Sequence, residues 1–201
     1  MNARSAPSIA RISFPADANG YVRVWDPLVR LFHWTVVTGC VLNLIFEEGN
    51  RVHRTIGYVV AGAVAVRMVW GLVGPGHARF ANFIPRPATL INYIKHLLAG
   101  SEPRFVGHNP AGSVMIVALL CALIGVSVTG WMMGLDRFFG NEAVEEIHET
   151  FAMAILGLAS VHVAAAVFES VRHRENLIKA MFTGRKRKAT GTDVDHATDS
   201  H

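Results

Sequence analysis

Charge and sulfur are both scarce in this chain. Asp, Glu, Lys and Arg make up 17% of its 201 residues while 51% are hydrophobic, a balance too apolar for a soluble domain of this length. The two cysteines, Cys40 and Cys121, both fall inside apolar segments, and there is no Cys-x-x-Cys-His run. That excludes a disulfide framework and covalent attachment of a haem, and leaves the two thiols as small packing groups. Residues 1–20 are polar and lack the apolar core of a cleavable leader, so the first apolar segment is expected to act as its own insertion signal. No internal repeat occurs. The stretch from Ser113 to Met133 lacks Asp, Glu, Lys, Arg and His throughout its 21 residues, and a run of that length reads as a spanning helix.

Three further segments are long enough to cross a bilayer, and each carries an ionisable group that needs a partner. Leu28 to Phe46 holds Arg30 and His33, Ile56 to Val73 holds Arg67, and Phe151 to Phe168 holds His162. Counting Lys and Arg alone places fifteen on the side of the two termini and the second connection, while Arg51, Arg54 and Arg137 fall on the other side. By the positive-inside rule both termini are expected to be cytoplasmic. The fold class expected is therefore an all-α membrane protein, a four-helix transmembrane bundle. Its parts are a cytoplasmic N-terminal segment 1–27, a four-span domain 28–171 with spans near 28–46, 56–73, 113–133 and 148–168, and a basic then polar cytoplasmic tail 172–201. Pro87 to Leu98, with Leu90, Ile91, Ile94, Leu97 and Leu98 at helical spacing and Gly100 as a stop, reads as a helix lying on the cytoplasmic surface. From Thr183 onward the Arg-Lys-Arg-Lys run and the polar residues after it read as solvated and disordered, and His196 and His201 belong to that tail. The net charge of +4 suits anionic lipid headgroups and is no sign of nucleic acid.

Four histidines, His33, His53, His148 and His162, lie inside or at the edges of these apolar segments. His148 and His162 are fourteen residues apart on one predicted helix, hence within ~40° of one face and ~21 Å apart along the axis, in a hydrocarbon core ~30 Å thick. The expected topology sets His53 and His148 at the outer level and His33 and His162 at the inner one, so each level joins two imidazoles from different spans. A structural zinc takes four protein ligands and a catalytic one three, with no thiol or carboxylate at these depths, whereas a haem iron takes two axial histidines. Small residues on the facing positions of span four, Ala152 and Ala159, with Gly157 and Ser160 nearby, and Gly57 on span two, leave room for a porphyrin, although small residues also simply let helices pack closely. Arg67, fourteen residues after His53, falls at the inner level, where a haem propionate is the expected partner; the alternative is an arginine that snorkels to the headgroups. His77, His96, His108 and His173 read as surface groups. His148-Glu149 opens like a zinc-protease motif, but position 152 is Ala and the motif is absent. Two other classes remain to be weighed, a transporter with intramembrane histidines and a passive membrane anchor; unbroken spans without internal acids argue against the first.

The chain resembles the bacterial cytochrome b561 family, grouped with the b-type cytochrome subunits of nickel-iron hydrogenases. The resemblance rests on Val24-Trp25-Asp26-Pro27 through Phe32-His33-Trp34, on His53 with Gly57-Tyr58, and on Arg67-Met68-Val69-Trp70-Gly71 with Gly74 through Phe80. It continues in Gly107-His108-Asn109-Pro110 and Glu146-Ile147-His148-Glu149 with His162, and covers roughly residues 21–187. It implies two noncovalent b haems ligated by His33, His53, His148 and His162, and electron passage between the quinone pool and a separate redox protein such as a hydrogenase or a c-type cytochrome, in the bacterial cytoplasmic (inner) membrane. Some relatives act alone, oxidising superoxide and reducing quinone. Bis-histidine ligation favours electron transfer over oxygen binding because no iron position stays open. On residue type and cytoplasmic position, Trp25, Asp26, Arg30, Trp34, His108 and Asn109 are the candidates to stand near the quinone.

Overall fold

An aspartate or asparagine stands at the head of every long helix of the bundle, and its side chain takes up backbone N–H groups that the first turn leaves without partners. In the computed structural model, which describes Asp17 and residues 20–46, 50–74 and 76–194, Asp26 accepts from the N–H groups of Leu28 and Val29 to start helix α1, Pro27–Ile45, with proline at the first helical position. Asn50 does the same for α2, Arg51–Val73. Two short helices follow, α3 (Phe80–Phe83) and α4 (Pro87–Leu98). Asn109 caps α5, Pro110–Met133, Asn141 caps α6, Glu142–Arg172, and Asn176 caps α7, Leu177–Thr183.

Four of these, α1, α2, α5 and α6, are long and apolar enough to cross a membrane. Their hydrogen-bond ladders run past the apolar stretches that mark them in the sequence: α2 begins at Arg51 rather than near 56, and α6 at Glu142 rather than near 148. The apolar run marks where the solvent is hydrocarbon, whereas the caps mark where the helix begins. α5 packs along α6, α1 along α2, and α2 along α5. Phe151 of α6 fills the space beside Gly125 of α5, where a Cβ would lie 2.5 Å from the ring, so the two backbones approach closely. Among the described residues α6 makes no comparable contact with α1 or α2. Only 6% of its apolar window is buried, against 22% for α2 and α5, so a cleft runs between α6 and the α1–α2 pair.

The two terminal segments meet at one end of the bundle. Strand β1, Tyr21–Arg23, pairs antiparallel with β2, Arg185–Arg187, with Val22 opposite Lys186. The basic run is therefore ordered, not a solvated tail, and the reason is alternation: Arg185 and Arg187 point outward while Lys186 is 4% exposed. Its ammonium donates to the carbonyl of Phe105 at 3.1 Å and lies 3.7 Å from Glu175. Burial pushes the Lys186 amine down to about 8 against the opposing pull of Glu175. Val22, Val24 and Val106 close a small core there with Trp25 packed on it. Arg104, with a side chain 4% exposed, forks onto Glu175 and reaches Asp193 at 2.7 Å and the carbonyl of Arg187 at 2.7 Å. A second ion pair joins Arg172 to buried Glu102. This basic end carries α4 as expected, but Tyr93, which donates to Glu169 at 3.1 Å, is its buried anchor; Leu90 and Leu97 are half-buried and Ile91, Ile94 and Leu98 are exposed. Arg4, Arg11, His196 and His201 lie outside the described residues.

Candidate functional site

The opposite, acidic end holds the best-defined pair. His53 sits in the first turn of α2 and His148 in the second turn of α6, and their ring centroids are 6.3 Å apart across the cleft. Two imidazoles on opposite sides of one metal ion, each bonded at about 2 Å, hold their centroids about 6 Å apart. Each ring is also oriented from behind. The Nδ1–H of His53 donates to the carbonyl of Phe46 at 3.0 Å. Thr129 donates its hydroxyl proton to the carbonyl of Gly125 at 2.8 Å, so its oxygen accepts from Nδ1 of His148 at 3.0 Å. Both rings then carry the proton on Nδ1 and leave the Nε2 lone pair free to bind, the arrangement that metal-ligating histidines adopt. Gly130 completes the seat, since a Cβ there would lie 3.1 Å from Cε1 of His148.

His33 stands in the second turn of α1 and His162 on the half of α6 nearer Arg172, so both lie toward the basic end. His33 packs edge-on against Trp34, and its Nδ1 is buried with no hydrogen-bond partner. Arg67 on α2 is 3% exposed, which rules out a snorkelling side chain. Its guanidinium lies 4.7 Å over the Phe80 ring, and its Nη1 is buried without a partner. Phe80 is held in turn by Gly71, where a Cβ would come 2.0 Å from the ring. Gly71→Ala is expected to displace Phe80 from under Arg67 and to cost about 1–3 kcal/mol, as overpacking does; a thermal midpoint equal to that of the parent protein in the same detergent would refute this.

These residues suit a haem. The outer imidazoles stand at the separation that a shared iron requires, with both Nε2 atoms free. His33 and Arg67 each keep a buried nitrogen without a hydrogen-bond partner, and an anionic acceptor would satisfy the guanidinium. At Gly57, one turn below His53, a Cβ would meet only the Asn43 amide at 3.9 Å. No group of three or more His, Cys, Asp or Glu side chains able to hold a metal ion occurs among the described residues.

The profile of the prokaryotic cytochrome b561 family matches residues 24–184. The chain belongs to that family. It is accordingly a multi-pass membrane cytochrome of the b type, with haem b as its cofactor. It is similar to three proteins described as probable Ni/Fe-hydrogenase B-type cytochrome subunits. The one from Bradyrhizobium diazoefficiens is 25% identical, with 90% of this chain and 94% of the relative aligned. That from Azotobacter vinelandii is 27% identical over 81% and 87%, and that from Rhodobacter capsulatus 24% identical over 82% and 81%.

The six candidates for the quinone separate into two places in this cytochrome. Trp25 packs on His108 with centroids 4.6 Å apart, and Phe83 closes the other side of His108 at 4.7 Å. His108 is thus no surface group: its Nδ1 is buried without a partner, and burial, aided by the positive charge of Lys186, pushes its pKa down to about 3. His77 likewise lies inside this cluster, edge-on to Trp25, and His173 pairs with Glu169 at 3.2 Å. Asp26 and Asn109 flank the cluster as helix caps, Asp26 also accepting from the Trp70 indole at 3.2 Å. The side chains of Arg30 and Trp34 turn toward α7 instead. Arg30 donates to the carbonyls of Met181 and Phe182, and Trp34 stacks on Phe182 at 4.1 Å beside a cavity of about 450 Å³ between α1 and α2. Thr129, Gly130, Phe80 and Lys186 were not singled out from the sequence. For Thr129 a signal existed, a hydroxyl near the end of the most apolar span, within reach of the level of His148.

Proposed function

We propose that this cytochrome holds two noncovalent b haems, one between His53 and His148 and one between His33 and His162, and carries electrons across the bilayer between the quinone pool and a separate redox protein. The observation that carries this reading is the His53–His148 pair, spaced and oriented from behind as axial ligands are. Haem b supplies reversible one-electron storage at each level. The chain's own residues do the rest. Phe46 and Thr129 fix the outer imidazoles by their Nδ1 bonds. Arg67 would neutralise a propionate of the inner haem, and the apolar walls of α1, α2 and α6 would exclude water. The basic end faces the cytoplasm of a bacterial inner membrane, as the distribution of Lys and Arg favours. Quinone meets that end near Trp25, His108 and Trp34, with Asp26, Arg30 and Asn109 holding the surrounding helix ends in place. The relatives' description as hydrogenase cytochrome subunits makes a membrane-bound hydrogenase the favoured redox protein.

The test is a haem count followed by a turnover measurement. The purified protein is expected to carry about two haems per chain, and dithionite-reduced protein in liposomes is expected to be reoxidised on addition of ubiquinone. One haem per chain would remove the dihaem reading, and reduced haem indifferent to quinone would remove the substrate.

A further inference from the structure

Arg174 adopts a backbone conformation that L residues rarely tolerate. It follows the C-cap of α6 with φ of 49°, the only non-glycine residue with positive φ among those described. The hydrogen bonds around it are those of a helix stop: Arg174 N–H donates to Val171 and Glu175 N–H reaches back to Ser170. Glycine is the residue that suits this position, because a Cβ there crowds the carbonyl. A long cationic side chain makes the turn no better, and the guanidinium of Arg174 enters no hydrogen bond or ion pair among the described residues.

The side chain borders a cavity of about 420 Å³ at the junction of α6 and α7. One wall is aliphatic and open to the outside, with Val167 47%, Val171 75% and Ile178 49% exposed. Val167 still belongs to the apolar stretch that ends at Phe168, so the cavity straddles the boundary between hydrocarbon and headgroups. The other wall is polar, from Ser170, Arg174 and Asn176. The one carboxylate in the lining, Glu175, is already matched by Arg104 at 2.8 Å and Lys186 at 3.7 Å. Lys179 adds a further exposed positive charge one residue beyond Ile178.

We propose that this junction is a binding site for an anionic phospholipid, whose phosphate is taken by Arg174 and whose acyl chain lies along Val167, Val171 and Ile178. A guanidinium and an aliphatic wall on one cavity match the two halves of such a molecule, and a membrane protein meets it without diffusion through water. At 100° per residue Val167 and Val171 fall roughly 140–180° round α6 from His162, and the site requires only that the chain spans a bilayer, which its family membership establishes.

The test uses the full haem-loaded protein in detergent, offered phosphatidylglycerol or phosphatidylcholine and read by native mass spectrometry and thermal midpoint. Wild type is expected to retain phosphatidylglycerol about fivefold better than phosphatidylcholine, the factor that one basic residue near a headgroup supplies. Arg174→Gly is expected to lose that preference and yet to melt in plain detergent at the same temperature or higher, because glycine relieves the turn. Arg174→Gln, which keeps the backbone strain, is expected to lose the preference without the gain. Equal retention of both lipids by wild type, or a preference that survives in Arg174→Gly, would overturn the proposal. Equal protection by inorganic phosphate alone would reassign the cavity to free phosphate.

Discussion

Replacing His148 by alanine is expected to remove one of the two b haems and to lower the reduced-minus-oxidised absorbance to about half, with His53→Ala giving the same result. The expectation follows from the outer pair, in which each ring supplies one Nε2 atom and no third donor stands within the same group. A finer test separates ligand from support. Thr129→Val keeps the side-chain volume but removes the oxygen that accepts from His148 Nδ1 at 3.0 Å. The loss of such a supporting partner lowers metal affinity by about 10–100-fold, so Thr129→Val is expected to bind the haem during synthesis but to release it to an apo-myoglobin acceptor faster than wild type. Full retention of both pigments with unaltered absorbance in His148→Ala would sink the assignment. An unchanged release rate in Thr129→Val would leave the ligand and remove the support.

Loss of Arg104 is expected to open the basic end. Its guanidinium is 4% exposed and ties Glu175, Asp193 and the Arg187 carbonyl together. Taking away one partner of such a buried cluster strands the carboxylate and costs on the order of 3–5 kcal/mol. Residues 185–188 are all Lys or Arg, so trypsin reads the opening directly. Cleavage there in Arg104→Ala is expected to rise by roughly two orders of magnitude or more over wild type, each 1.4 kcal/mol being about a factor of ten. Acid is expected to do the same. Burial alone raises the Glu175 carboxyl, but hydrogen bonds from Arg104 and the charge of Lys186 more than offset it and hold it below its ordinary value; Asp193 is held low in the same way by Thr190 and Arg104. Groups shifted downward stabilise the fold above the unfolded-state pKa of about 4. That contribution fades as pH falls through the lowered values, and the protection of the amides of residues 185–187, relative to their intrinsic exchange rate at each pH, should fall with it. Protection that stays constant down to pH 3 would refute the role of the two carboxylates.

The spans and the histidines were legible because lipid imposes rules that show locally. A charge-free run such as Ser113 to Met133 has one good explanation, and an imidazole inside such a segment has few. Fourteen-residue spacing then places His148 and His162 without any knowledge of tertiary contacts. What stayed hidden depends on partners distant in the chain. The Arg-Lys-Arg-Lys run looks solvated until Val22 and Val24, more than 150 residues earlier, provide the strand against which Lys186 turns inward. His108 looked like a loop residue because Trp25 and Phe83, which enclose it, arrive from separate segments. The bonds of Arg30 to the end of α7 are invisible in the sequence because α7 is too short for its own periodicity to stand out. Thr129 escaped notice because a threonine in a spanning helix ordinarily satisfies itself on the preceding turn, as this one does on Gly125, and its second bond requires α6 alongside.

The β1–β2 pairing also dictates an order of events during biosynthesis. Tyr21–Arg23 leaves the ribosome early, but Arg185–Arg187, the strand that completes it, is made only after the residues of all four spans. This end therefore cannot seal until the last span has been synthesised, and a nascent chain halted before Arg185 leaves Val22 and Val24 without the strand that covers them.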